Sequence, residues 1–211
     1  MKQFSVSGKN WILKKFDSSD VTKYLENFSV TEIVAKLLSI RKKNIGDISQ
    51  FLDPKIKNIL PNPFLLKDMK IAVERTYESI LNKEVIGIFG DYDVDGATST
   101  ALLARYFTSI NQYIKTYIPN RQTEGYGPNN AAFKNLIDNK VKIIFTVDCG
   151  TLSYKPIDFA QKLDVDVIIL DHHQSDIVLP KAHAIVNPNR YDDVSGLNYL
   201  CAAGVCFMFL V

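Results

Sequence analysis

The sequence predicts an α/β fold, a parallel sheet flanked by helices and preceded by a helical N-terminal region. Three observations carry that expectation. From about residue 84 onward, short apolar runs alternate with segments whose apolar residues recur at helical spacing. Two of the runs, Val141–Val147 (VKIIFTV) and Val165–Leu170 (VDVIIL), are almost continuously apolar, as strands covered on both faces are. Earlier in the chain the apolar residues keep helical intervals instead, as at Val30, Ile33, Val34, Leu37 and Leu38.

In chain order, residues 1–20 read as irregular, with Trp11 and Phe16 as anchors against something larger. Residues 20–44 read as a helical pair or bundle whose polar side and end carry Lys36, Arg41, Lys42 and Lys43, a basic run that reads as a solvated helix terminus favoured by the helix dipole ahead of a phosphate contact. Ile48–Leu52 forms a further helical turn closed by Asp53-Pro54, and Pro61-Asn62-Pro63 is a connector. Lys67–Asn82 is an amphipathic helix, so residues 1–82 are assigned to a mostly helical region and 83–211 to the α/β domain. There the expected elements are a strand at Val85–Phe89, a helix from about Thr98 to Ile110 and a strand at Tyr113–Ile118. Asn129 or Asn130 caps a helix running to about Asn139, and the strand Val141–Val147 follows. Pro156 sits in the first turn of a helix ending near Leu163. Val165–Leu170 and Ala184–Val186 are the last strands.

Bulk properties bound the function less sharply. The chain has 211 residues, 46% of them hydrophobic and 23% charged, an ordinary globular composition with room for a sizeable core. A net charge of +2 decides nothing about nucleic acid, because a basic groove can be offset by acidic residues around a metal. Cys149, Cys201 and Cys206 are odd in number, lack metal-ligand spacing and lie in or beside apolar runs, which reads as reduced core cysteines of a cytoplasmic protein. Lys14 and Lys15 interrupt any signal-peptide core, and no run reaches the roughly 20 apolar residues of a membrane span.

The chemistry concentrates at residues 85–100, VIGIFGDYDVDGATST. The first strand delivers Asp91, Asp93 and Asp95 at alternate positions, and carboxylates this close repel unless a cation sits between them. An EF-hand loop shares the D-x-D-x-D-G pattern but requires a Glu at its twelfth position, where this chain has Leu102, and a helix where this chain has a strand. A solvated acidic turn is the plain alternative. Two other strands also end in polar clusters, Asp148-Cys149-Gly150 and Asp171-His172-His173. Asp148 by itself would read as a helix cap, and adjacent histidines as incidental. In an open parallel sheet, however, the carboxyl ends of the strands share one edge, so three clusters meet there. Carboxylates with imidazole suit Mn²⁺ or Mg²⁺, and two ions sharing a bridging Asp suit phosphoester hydrolysis.

GDYDVDGATS, TVDCG and DHH, in this order on successive strands, resemble motifs I, II and III of the DHH phosphoesterases. IPNRQTEGYG at 118–127, VNPNR at 186–190 and LCAAGVCF at 200–207 are similar to the RecJ branch of that family. The resemblance implies a metal-dependent exonuclease that removes nucleotides from the 5′ end of single-stranded DNA in recombination and repair. It implies Asp93, Asp95, Asp148 and His172 as ligands of Mn²⁺ or Mg²⁺, with Asp148 as the bridge. It implies Asp91, Asp171 and His173 as catalytic support, His173 also meeting the scissile phosphate, and Arg121 as a holder of substrate phosphate. Tyr92 and Tyr126 are stacking candidates by location, and His183, outside every motif, is structural. The alternatives are a DHH phosphoesterase of short oligonucleotides or cyclic dinucleotides, disfavoured by Phe89 where such relatives carry His, and a non-catalytic remnant. The family continues well beyond these motifs, so the catalytic domain is expected to be incomplete at its C-terminus. Its apolar last residues, GVCFMFLV, would then be exposed or covered by a separately encoded fragment.

Overall fold

The protein is described by a computed structural model covering residues 6–41 and 43–211, which divides into two compact units, Met1–Pro61 and Asn62–Val211. The first unit is helical: α1 (Ser18–Asn27), α2 (Glu32–Ile40), α3 (Ile45–Leu52) and the single turn α4 (Ile56–Ile59). Val21, Tyr24, Ala35, Leu38 and Ile48 form its core. Asp17 caps α1 by accepting from the Ser19 amide at 2.8 Å, and the buried Tyr24 hydroxyl donates to the Lys43 carbonyl at 2.6 Å. Trp11, expected as an anchor, is 82% exposed, in a segment that forms no helix or strand.

The second compact unit starts at Asn62, ahead of the change of sequence character at 82/83. Helix α5 (Met69–Leu81) belongs to it, buries Met69, Ala72, Thr76 and Ser79, and lies against β3 and β5 of the sheet. After it come β1 (Val85–Gly90), α6 (Val94–Ser109), β2 (Ile114–Tyr117), α7 (Asn130–Asp138) and β3 (Val141–Val147). The chain closes with α8 (Tyr154–Gln161), β4 (Asp166–Leu170), β5 (Ala184–Val186) and α9 (Ala202–Leu210). The five strands are parallel in the order β2-β1-β3-β4-β5. The direction of winding therefore reverses between β1 and β3, the place where open α/β sheets form a ligand crevice.

Both faces of the sheet are covered, which explains the unbroken apolar strands. On one face Phe89 and Ile144 pack with Phe133 and Leu136 of α7 and Ile157 of α8. On the other, Phe145 meets Phe107 of α6 and Phe209 of α9, with ring centroids 5.6 and 5.5 Å away. The apolar final helix is accordingly not an exposed tail: Ala202, Val205, Cys206, Met208 and Phe209 are buried, and α9 lies along α6. Cys149 and Cys206 are core cysteines as expected, whereas Cys201 is exposed at the start of α9. Helix α6 begins at Val94 instead of near Thr98, because Asp93 acts as its cap and accepts from the Gly96 amide at 2.9 Å. Among the described residues no helix is long and apolar enough to cross a membrane.

Candidate metal centre

The strand register builds the site. Gly90 pairs with Val147, Val147 with Leu170, and Leu170 with Val186, so four strands end level. The ladder then runs one residue further. Asp91 N donates to Val147 O at 3.3 Å, Asp148 N to Leu170 O at 3.1 Å and Asp171 N to Val186 O at 3.1 Å. Asp91, Asp148 and Asp171 therefore stand side by side along the carboxyl edge, only 3%, 2% and 1% exposed.

Close backbone approach makes this row possible. A side chain at Gly96 would place its Cβ 2.5 Å from the Asp91 carbonyl oxygen, so only glycine lets α6 start against the first motif. At Gly150, φ is +112° and a Cβ would fall 2.3 Å from Thr146 Oγ1. Asp148 itself has φ +60°, a left-handed conformation that Asp tolerates better than most residues but still at a cost.

Two groups of side chains can each converge on one ion. Asp91, Asp93 and Asp148 offer ligand atoms within 4.8 Å of one another, and so do Asp148, His172 and His173. Asp148 belongs to both. Its Oδ1 lies 3.3 Å from His172 Nε2, yet that oxygen and Asp91 Oδ1 are buried with no hydrogen-bond partner among the described residues. Burial, followed by repulsion from Asp95 and Asp93, pushes the Asp148 carboxyl up to about 8. Burial also raises Asp91, whereas the Gly96 amide holds Asp93 below the usual carboxylate range.

The remaining predicted residues fall into distinct places. Asp95 points to α9, where its two oxygens accept from Ala202 N and Ala203 N at 2.8 Å each, and its Oδ2 is 3.6 Å from His172 Nε2. Each of those oxygens retains capacity for a second partner. Asp171 is saturated by Thr151 N (3.1 Å), Thr151 Oγ1 (2.6 Å), His172 N (2.7 Å), His173 N (3.2 Å) and His173 Nδ1 (2.7 Å). Burial alone would raise its carboxyl, but the bonds from His173 and Thr151 outweigh burial and lower it. The same bond from Asp171 raises His173. Both Asp171 oxygens are thus engaged by Thr151, His172 and His173. Arg121 lies on an exposed loop with its guanidinium 5.3 Å from the centre of the Tyr92 ring, beside the first motif.

Sequence reasoning gave no role to Thr151, Asn187 or Asn189. Tyr126, named there only as a stacking surface, also donates its hydroxyl to the Asp148 carbonyl at 3.1 Å. Asn187 had a readable signal, since it too is the first polar residue after a strand.

The chain matches the DHH family, N-terminal domain, over residues 85–211. It is 35% identical over 202 residues to the single-stranded-DNA-specific exonuclease RecJ of Bacillus subtilis, a match covering 95% of this chain and 26% of that protein. It is 34% identical to the Escherichia coli protein of the same name over 77% of this chain and 28% of that one. The chain thus spans about a quarter of the length of these relatives. A crystal structure of exonuclease RecJ bound to manganese is 30% identical, with a TM-score of 0.63 over 69% of this chain and 37% of that one. A structure of RecJ in complex with Mn²⁺ from Thermus thermophilus shares the fold at a TM-score of 0.74 and 23% identity, over 94% of this chain and 27% of that one.

Proposed function

The chain belongs to the DHH family, and from that membership and its strand-end carboxylates we propose that it hydrolyses phosphodiester bonds of single-stranded DNA as a metal-dependent, RecJ-like exonuclease. The observation that carries the reading is Asp148, a buried carboxylate shared by two ligand groups and left with an unpartnered oxygen. An ionised carboxylate in such a place is costly unless a cation compensates it. The donors are carboxylate oxygen and imidazole nitrogen, a set that fits Mn²⁺ or Mg²⁺.

In this reading Asp91, Asp93 and Asp148 hold one ion, and Asp148, His172 and His173 hold the second, with Asp95 a further ligand on the His172 side. The chemistry supplied by Mn²⁺ or Mg²⁺ at such a site is a water of lowered pKa and stabilisation of charge on the phosphoryl oxygens. The chain's own residues do the rest. Asp171 holds the proton on His173 Nδ1, leaving Nε2 for an ion or the scissile phosphate. Arg121, positioned over Tyr92, clamps a substrate phosphate with its forked donors. Tyr126, with its ring 5.9 Å from that of His173, offers a face on which an unpaired base stacks. The substrate end is the 5′ end and the setting cytoplasmic recombination and repair, as the motif resemblance implies.

The test is Mn²⁺-dependent release of mononucleotides from a 5′-labelled single strand by the 211-residue chain, with Asp93→Ala and Asp148→Ala as controls. Release by the parent and its loss in both variants is the expected result. A folded chain that binds Mn²⁺ but releases nothing would overturn the catalytic reading.

A further inference from the structure

The row of residues along the sheet edge has a fourth member. Asn187 follows β5 as Asp171 follows β4, and it is fully buried. Its side-chain nitrogen donates to Thr151 Oγ1 and to the His173 carbonyl, both at 2.9 Å, and its Oδ1 accepts from Asn189 N at 2.8 Å. Asn189 in turn donates its side-chain amide to the His172 carbonyl.

The directions of these bonds are forced. Asp171 as a carboxylate can only accept, so the one proton of the Thr151 hydroxyl points to it. That hydroxyl must then accept from Asn187, which places the amide nitrogen on Thr151 and the amide oxygen on Asn189. The His172-His173 dipeptide is consequently gripped from two sides. Asp171 takes both of its N–H groups, and the two asparagines take both of its carbonyls. Arg190 anchors the asparagine loop, donating to the Ile185 carbonyl and to Asp68 at 2.6 Å each.

We propose that Asn187 and Asn189 are positioning residues, which fix the two imidazoles opposite Asp148 by holding the backbone that carries them. The inference rests on the metal-centre reading above, because its consequence is ion affinity. A pair of asparagines that merely satisfied a buried loop would affect folding and leave affinity alone. Partners that orient ligand imidazoles typically change metal affinity about 10–100-fold when removed.

The experiment is a Mn²⁺ titration of the 211-residue chain followed by the electron paramagnetic resonance of free Mn²⁺, with melting temperature measured on the same samples. Asn189→Ala, at a half-buried position, is expected to melt near the parent and to bind Mn²⁺ about tenfold more weakly. Asn139→Ala removes a similar side-chain bond, to the Asn135 carbonyl at 2.8 Å on an exposed turn, and is expected to bind as the parent does. Thr151→Val supplies the second arm. It keeps the shape and loses the hydroxyl, so its affinity falls, and Thr151→Ser restores it. A parent chain that binds no Mn²⁺ would overturn the metal-centre reading itself. A parent that binds, with folded Asn189→Ala and Thr151→Val unchanged in affinity, would overturn only the positioning role.

Discussion

The two ends of the same sheet treat their charges in opposite ways. At the amino edge Arg75 donates to Asp166 at 2.6 Å and to Glu84 at 2.8 Å, so the acids that begin β4 and precede β1 share one guanidinium. At the carboxyl edge Asp91, Asp93, Asp95 and Asp148 gather with no Lys or Arg of the described residues bonded to any of them, and two buried oxygens have no partner among those residues. Both clusters sit on the same strands, so packing does not explain the difference. A charge cluster that serves stability closes on itself, whereas one that serves chemistry leaves valence open for a ligand.

The largest expected effect tests the open end. Asp148→Asn removes the carboxylate shared by both groups, so on the proposed reading Mn²⁺-dependent nucleotide release should fall at least about 100-fold, as is common when a key electrostatic group is lost. The same change should raise the melting temperature of the metal-free chain. The Asp148 carboxyl titrates near 8 in the folded chain, against about 4 when unfolded. Between those values the folded state holds a proton that the unfolded state has released, so stability falls as pH rises through that window. Melting curves in EDTA from pH 5 to 9 should show this decline in the parent and a shallower one in Asp148→Asn. An unchanged slope would remove Asp148 as its source.

Next in size is the closed end. Arg75→Met leaves Glu84 unpaired and Asp166 facing only His183, and should cost about 2 kcal/mol, below the usual loss for a fully buried pair because Asp166 is 41% exposed. Urea unfolding measures it. Mn²⁺ affinity should not move, and a parallel loss of affinity would show that the two edges are coupled.

A smaller effect is expected at the rim. Arg121→Lys keeps the charge and loses the fork, so KM for a short single strand should rise several-fold with stability unchanged. Arg121→Gln should raise it further, and equal KM values across the series would exclude Arg121 from phosphate binding.

How much of this was legible beforehand follows from what each residue depends on. Strands β3 and β5 were readable to the residue, because strands buried on both faces are continuous apolar runs. The start of α6 was misplaced, since the cap that moves it is Asp93, already assigned to metal chemistry. The amphipathic pattern of α5 does not say which partner the helix packs against, so its place with the sheet was not legible. Asp91, Asp148 and Asp171 could be paired from sequence through the rule of parallel strand ends. Their distances, the bond from Asp95 to α9 and the grip of Asn187 and Asn189 could not, because register and loop return are properties of tertiary packing. Trp11 was misread for the same reason, an aromatic residue being no guide to its own burial.

The smallest expected effect belongs to His183 at the amino edge, set against His172 at the carboxyl edge. His183 Nδ1 lies 3.4 Å from Asp166 at the amino edge, and His172 Nε2 lies 3.3 Å from Asp148 at the carboxyl edge. By distance and residue type the two pairs are alike. They differ in what else their carboxylates touch: Asp166 already holds Arg75 and is half exposed, whereas Asp148 is buried with its facing oxygen unpartnered. His183→Asn should therefore change stability by less than about 0.5 kcal/mol, the scale of an exposed pair, with Mn²⁺ affinity untouched. His172→Asn should leave stability nearly as it was and weaken Mn²⁺ binding. Equal responses of the two variants in both measurements would mean that proximity to an aspartate alone, and not the open valence of Asp148, distinguishes the metal end of the sheet.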